Sequence, residues 1–322
     1  MIKNTFIYAL LFLSSLSIVS CSDDTEETTP NQTTTMSNTI VDIASGPDFT
    51  TLASALDRVD LISTLEGEGP FTVFAPTNAA FSLLLTELKI NDLGEVSDAQ
   101  LTQILLNHVI SGKVTSTELV DGYVSTLADG SQDTKASLFI NLESGVMLNN
   151  RSKVSNADVM ADNGVVHVID QVLLIPNVVD IALSNPNFSI LVAALTDSRI
   201  ASADLVATLN GEGPFTVFAP TNAAFTALLD SNQDWNSLSD IPAETLEAVL
   251  KYHVIVGDNI TSREITDGAN PATFEGSKIT LNTTNGVIIT DKGGRTSTVR
   301  IADVQASNGI IHAIDKVILP LE

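Results

Sequence analysis

Gly67-Glu68-Gly69-Pro70-Phe71-Thr72-Val73-Phe74-Ala75-Pro76-Thr77-Asn78-Ala79-Ala80-Phe81 occurs twice in this 322-residue chain. It returns without a change as Gly211 to Phe225, 144 positions on. Later markers recur one position further on, at a spacing of 145: His108-Val109-Ile110 returns as His253-Val254-Ile255. Asn163-Gly164-Val165-Val166-His167-Val168-Ile169-Asp170 returns as Asn308-Gly309-Ile310-Ile311-His312-Ala313-Ile314-Asp315. Val178-Val179-Asp180-Ile181-Ala182 echoes Ile40-Val41-Asp42-Ile43-Ala44. The period far exceeds the roughly 20 to 50 residues of a solenoid unit, so each copy can bury a core of its own. Two domains follow, 37–176 and 177–322, with the boundary at Pro176-Asn177.

Inside each copy the pattern changes from helical to extended. Phe71 to Phe74 is a β-prone run behind a Gly-Pro turn signal. Thr77-Asn78 and its copy Thr221-Asn222 are polar pairs ahead of an apolar run, which predicts helix capping at both. Leu101, Ile104, Leu105 and His108 fall at i, i+3, i+4 and i+7, predicting one stripe of a helix, and Leu246, Val249, Leu250 and His253 repeat it. Beyond Gly112 the residues turn β-branched, with turn signals at Asp121, Asp129 and Ser144. Asn163-Gly164 predicts a hairpin turn, with Val165, His167 and Ile169 sharing one face of the strand that follows. Helices and strands mixed in one small unit predict an α+β domain.

Hydrophobic residues make up 44% of the chain but aromatics only 5%, so the cores must be built mainly from Leu, Val, Ile and Ala. The formal charge of -24 repels phosphate backbones and excludes nucleic acid as a natural partner. At the start of the chain, Lys3 precedes an apolar run from Phe6 to Val19. That run is shorter than the roughly 20 residues a membrane span needs and fits a secretory signal peptide over 1–20. Ile18-Val19-Ser20-Cys21 resembles the bacterial lipobox, and Cys21 is the only cysteine. Cys21 is therefore expected to carry a lipid anchor into a membrane. Residues 21–36 read as an acidic, disordered tether, and the Ser22-Asp23-Asp24 start is similar to export signals of surface lipoproteins. The expected address is the outer membrane, on the cell surface, with its periplasmic face as the alternative.

The Thr-Val-Phe-Ala-Pro-Thr-Asn-Ala-Ala-Phe block resembles the first signature of the fasciclin domain family, and Asn163 to Pro176 resembles its second. Tyr252-His253 is similar to the tyrosine–histidine motif between them, where the first copy has Asn107-His108. The resemblance spans about residues 37 to 320 of both copies. It implies two tandem fasciclin-type domains, each a twisted β-wedge flanked by helices. It also implies roles in cell adhesion, matrix contact or polysaccharide attachment. In animal relatives the tyrosine–histidine region is tied to integrin binding, and the Asn107 of the first copy departs from that pattern.

Four histidines form two matched pairs, His108 with His253 and His167 with His312. Their apolar neighbours predict inward-facing structural rings, and no pair has the close spacing of zinc ligands. Asp170 and Asp315 recur after a strand and read as turn or cap ligands. Gly-x-Ser-x-Gly and His-Glu-x-x-His motifs are missing. The Gly67-x-Gly69 pair is followed by Pro70, which has no N–H to offer a phosphate. The expectation is a non-enzymatic lipoprotein without cofactor or metal. Its partners would be a cell-surface glycan or a matrix protein. The alternative is a carrier of an apolar small ligand, a lipid or carotenoid.

Overall fold

The computed structural model describes residues 38–132, 134–200 and 202–320. The expected signal peptide, the lipid site Cys21 and the acidic tether lie outside the described residues. Residues 37–322 cluster as one unit containing both copies.

The first copy opens with α1 (Ile40–Ala44), α2 (Thr50–Arg58) and α3 (Ile62–Leu65), then enters β1 (Phe71–Pro76). After α4 (Asn78–Leu88) and α5 (Asp98–Leu106) come β2 (Val109–Ser111), β3 (Gly122–Asp129) and β4 (Lys135–Asn141). The copy closes with β5 (Met147–Leu148), β6 (Ser152–Ala161) and β7 (Gly164–Ile169). The second copy repeats the plan: α6 (Val178–Ser184), α7 (Ser189–Leu195), α8 (Ser202–Leu209), β8 (Phe215–Pro220), α9 (Asn222–Asp230) and α10 (Ala243–Tyr252). It ends with β9 (Val254–Val256), β10 (Thr280–Asn282), β11 (Ile288–Thr290), β12 (Thr296–Gln305) and β13 (Gly309–Ile314).

The invariant block is the heart of each sheet. Its β1 lies between β2, antiparallel, and β7, parallel, in the order β2-β1-β7-β6-β5-β4-β3. Phe71 faces Gly164, Phe74 faces His167 and Pro76 faces Ile169. In the second copy Phe215, Phe218 and Pro220 face Gly309, His312 and Ile314, within the order β10-β11-β12-β13-β8-β9. A glycine is required opposite the entering phenylalanine. A Cβ on Gly164 would lie 2.0 Å from the Phe71 carbonyl oxygen, and one on Gly309 2.4 Å from that of Phe215. The β6–β7 turn is Asp162-Asn163, one residue earlier than predicted, because Gly164 already belongs to the ladder. Val166 is buried as completely as Val165, His167 and Ile169, since β7 is covered on both faces.

Each copy keeps two apolar clusters. In the first, Phe49, Leu52, Leu56, Phe81, Leu101 and Leu105 fill the space beneath the helices. Phe74, Ile110, Leu138, Ile140, Leu148 and Ile169 fill the far end of the wedge. Burying each such side chain contributes about 1.5–3 kcal/mol. The His108 stripe needs correction: α5 stops at Leu106, Asn107 caps it, and His108 sits just past the end. The cap turns the chain directly into β2.

The copies differ at one hairpin. β3 and β4 form a long antiparallel pair, whereas the matching stretch from Gly268 to Asn282 is shorter and holds only isolated bridges, Ala269 to Leu281 and Ala272 to Lys278. The long hairpin is the seat of the second domain. The Ser131 N–H donates to the Ala306 carbonyl at 2.9 Å, and the Gln305 N–H donates to Ser137 Oγ at 2.9 Å. Tyr123 packs on the core of the second domain, and burial pushes its hydroxyl pKa up to about 12.

Candidate functional site

His167 and His312 occupy the centre of each domain, fully buried and stacked on Phe74 and Phe218 at 5.6 Å between ring centroids. Around His167 lie Asp158 and Ser116, and around His312 lie Asp303 and Ser262, so each domain holds a serine, a histidine and an aspartate together. The hydrogen bonds decide what this trio can do. His167 Nδ1 accepts the backbone N–H of Asp158 at 3.2 Å, and Nε2 donates to the Val114 carbonyl at 3.0 Å. The Asp158 carboxylate stays 4.0 Å from the ring and takes the Ser116 hydroxyl instead. His312 repeats this with the Asp303 N–H at 3.3 Å and the Ile260 carbonyl at 2.9 Å. A nucleophilic triad needs the carboxylate on one ring nitrogen and the serine hydroxyl on the other. Here both nitrogens are spent on backbone and the serine points at the acid. The trio locks a loop to a strand.

The lock depends on backbone shape. Asp158 and Asp303 stand at φ of 61° and 62°, the left-handed region, within irregular registers of β6 and β12. That conformation lifts each side chain out of the ladder and aims it at the loop after β2 or β9. Thr72 and Thr216 grip the same loop: Thr72 Oγ1 donates to the Gly112 carbonyl at 2.7 Å and accepts the Val114 N–H at 2.9 Å.

His108 and His253 tie each domain's last segment to its helical layer. Nδ1 of His108 donates to the Ile104 carbonyl at 2.7 Å while Nε2 accepts the Leu173 N–H at 2.8 Å. His253 does the same with Val249 at 2.7 Å and Ile318 at 3.1 Å. Burial holds both imidazoles at a pKa of about 4, and burial also lowers that of His312. Tyr252, the aromatic half of the motif, is fully buried. Its hydroxyl donates to the Lys278 carbonyl at 2.9 Å and accepts the Lys292 N–H at 3.0 Å. Asn107 substitutes with a different span, donating to the Leu173 carbonyl and accepting from Thr126, each at 3.2 Å.

Thr77 and Thr221 cap α4 and α9, accepting the Ala80 and Ala224 N–H groups. Asn78 and Asn222 do something other than the predicted capping of their own helices. Asn78 Oδ1 accepts the Thr51 N–H at 2.9 Å and Nδ2 donates to the Pro47 carbonyl at 3.0 Å, so it caps α2, whose own N-cap residue Phe49 has no polar side chain. Asn222 caps α7 in the same way through Ile190 and Pro186. Asp170 and Asp315 close the final hairpin by accepting the Lys153 and Thr298 N–H groups, and Asp315 adds Arg300 at 2.7 Å.

Several residues take roles that the sequence reading did not assign them. Asn163 and Asn308 bind the first helix of their domains, accepting the Ile40 and Val178 N–H groups at 3.0 Å. Ser116, Asp158, Ser262 and Asp303 carry a signal that periodicity hides: Thr-Ser-x-Glu and Ala-Asp-Val recur in both copies. Among the described residues no group of three His, Cys, Asp or Glu side chains is placed to hold a metal ion.

The fasciclin domain model matches residues 47–176 and 186–320, so the fold and its motif residues define a tandem pair of such domains. The chain belongs to the fasciclin domain family. Protein sll1483 of Synechocystis sp. is 42% identical over 43% of this chain and 74% of its own length. Human periostin is 31% identical over 84% of this chain, and the pig transforming growth factor-beta-induced protein ig-h3 is 32% identical over 88%. The chain spans only 31% of the former and 38% of the latter. A solved FAS1 domain pair from the insect cell adhesion molecule fasciclin I aligns with 88% of this chain and 95% of its own. The identity is 20% and the TM-score 0.46. None of these matches is to an enzyme family.

Proposed function

We propose that the chain is a non-enzymatic adhesion module, held outside the cytoplasm by a lipid on Cys21. Its two domains contact a cell-surface glycan or a matrix protein. The observation that carries this reading is the use made of the repeated polar residues. His108, His167, Ser116, Asp158 and their copies spend their hydrogen bonds on backbone or on one another. They build scaffold and leave recognition to the surface. Membership of the fasciclin family supports the same conclusion, and two domains on one tether gain strength through effective concentration.

The carrier reading finds less support. Among the described residues, the apolar cavity between the first helices and the central strand measures about 20 Å³ in the first domain and 30 Å³ in the second. Such volumes hold a water molecule, far short of a carotenoid. The adhesive reading is tested by comparing attachment of parent cells with cells lacking the chain or carrying one domain. Single-domain cells should lose more than half of attachment, and unchanged attachment without the chain rejects the reading. Protease shaving of intact cells separates surface display from the periplasmic face.

A further inference from the structure

Two buried side chains among the described residues have no hydrogen-bond partner for either amide atom, Asn259 and Gln305. Both stand where the two domains meet. Gln305 offers its backbone N–H to Ser137 of the first domain while its side chain stays unpaired. Asn259 is part of the wall of a cleft of about 370 Å³. Gln132, at the tip of the long hairpin, lines the same cleft from the first domain. Asp258, Glu264, Ile265 and Leu281 line it from the second. At the matching positions the first domain carries an exposed Lys113 and a Met160 that is 47% exposed. At one of these pairs polarity runs against burial: the open position has the apolar Met160 and the closed position the amide of Gln305. Native proteins keep few unpaired buried amides, and these two set the domain junction apart from the rest of the fold.

We propose that this interdomain cleft binds a neutral saccharide. Its volume lies in the range of small-ligand sites, which favour domain junctions. The carboxylates of Asp258 and Glu264 accept sugar hydroxyls, and the amides of Asn259 and Gln132 both donate and accept. Ile265 and Leu281 offer an apolar wall to a ring's C–H face. Among the described residues no Lys or Arg lines the cleft, so an anionic sugar would find no counter-charge from them. The Asn259 amide is shielded from solvent, and a ligand engages it by turning that side chain toward the cleft. The proposal rests on the glycan-binding part of the reading above and places it at a site that needs both domains.

The test is calorimetric titration of the full chain with maltohexaose, cellohexaose and mannohexaose, with tetragalacturonate as the anionic comparison. At least one neutral hexasaccharide should bind. Asn259→Leu should weaken that binding about tenfold or more through loss of a hydrogen-bonding partner. The same variant should raise the Tm, because a leucine needs no partner there. Gln132→Ala should weaken binding from the other domain without lowering the Tm. The proposal is overturned if none of the neutral sugars binds at millimolar concentration, if tetragalacturonate alone binds, or if binding survives both substitutions. A lower Tm in Asn259→Leu would also overturn it, by showing that the amide has a partner within the protein. Binding that survives both substitutions leaves the adhesive reading standing, since that reading fails on the attachment of cells lacking the chain.

Discussion

Asn185 of the second domain donates its side-chain amide to the hydroxyl of Tyr123 in the first at 3.0 Å, while its own Oδ1 accepts the Asn187 N–H at 3.0 Å. One side chain therefore starts a helical turn and fastens the two domains. Tyr123→Phe should cost about 1 kcal/mol of interdomain stability, the net worth of one hydrogen bond. Tyr123→Ala, which also empties an aromatic site, should cost about 3–5 kcal/mol. Calorimetry reads the result: the parent should melt in one transition and Tyr123→Ala in two. A single unchanged transition would show that the domains do not lean on this contact.

Stability should fall with acid before most carboxylates are protonated. His108 and His253 hold pKa values of about 4, against about 6.5 in an unfolded chain. As pH falls through 6.5 the unfolded chain takes up protons and the folded one does not, so unfolding gains. The contribution is complete above about pH 6.5 and drains away toward pH 4, by roughly 3 kcal/mol per ring. Urea titrations at pH values across that window check it, and equal stability at both ends would contradict neutral buried rings.

Ser116→Ala removes the hydroxyl held by Asp158 at 2.5 Å, and Ser262→Ala removes the one held by Asp303 at 2.5 Å. Each should cost about 1.5–3 kcal/mol, the range for hydrogen bonds to charged groups. The two losses should add, because each lock lies within its own domain. Chemical denaturation of the single and double variants measures this. A double loss well below the sum of the single ones would reveal coupling between the locks.

Gly164→Ala should be far more damaging than its chemistry suggests. Its added methyl carbon would stand 2.0 Å from the Phe71 carbonyl oxygen, so β1 and β7 must part. A loss of about 3 kcal/mol or more is expected. Gly145→Ala is the contrast: nothing lies within 4 Å of a Cβ there, leaving only the cost of its positive φ. Amide exchange across β1 separates them, with protection lost in the first variant and kept in the second.

Tyr252→Phe should destabilise the second domain by about 1–2 kcal/mol, because its hydroxyl serves both Lys278 and Lys292. Fluorescence of Trp235, in the second domain, follows its unfolding. An unaltered midpoint would mean that water replaces the phenol without loss.

Much of this was legible because the chain is written twice. Identical blocks 144 residues apart marked two cores, and Thr77 and Thr221 read correctly as caps since capping is a local property. Asn78 and Asn222 misled for the opposite reason. Their partners, Thr51 and Ile190, lie 27 and 32 residues upstream, and only the packing of α2 on α4 and of α7 on α9 brings them close. The parallel pairing of β1 with β7 joins segments about ninety residues apart and leaves no period in the sequence. Asp158 was hidden because its role comes from a left-handed backbone, which residue type alone does not announce.

The shortened stretch from Gly268 to Asn282 gives the pair a direction. The first domain owns a socket, and the second, though built from the same plan, presents none of that form. A third repeat added after the second by duplication would inherit the plug, Gln305-Ala306, and meet nothing shaped to receive it. Such an array would swing at that joint until the hairpin had grown by several residues. In a pair built this way, rigidity at the joint hangs on the length of one hairpin and not on the copied core.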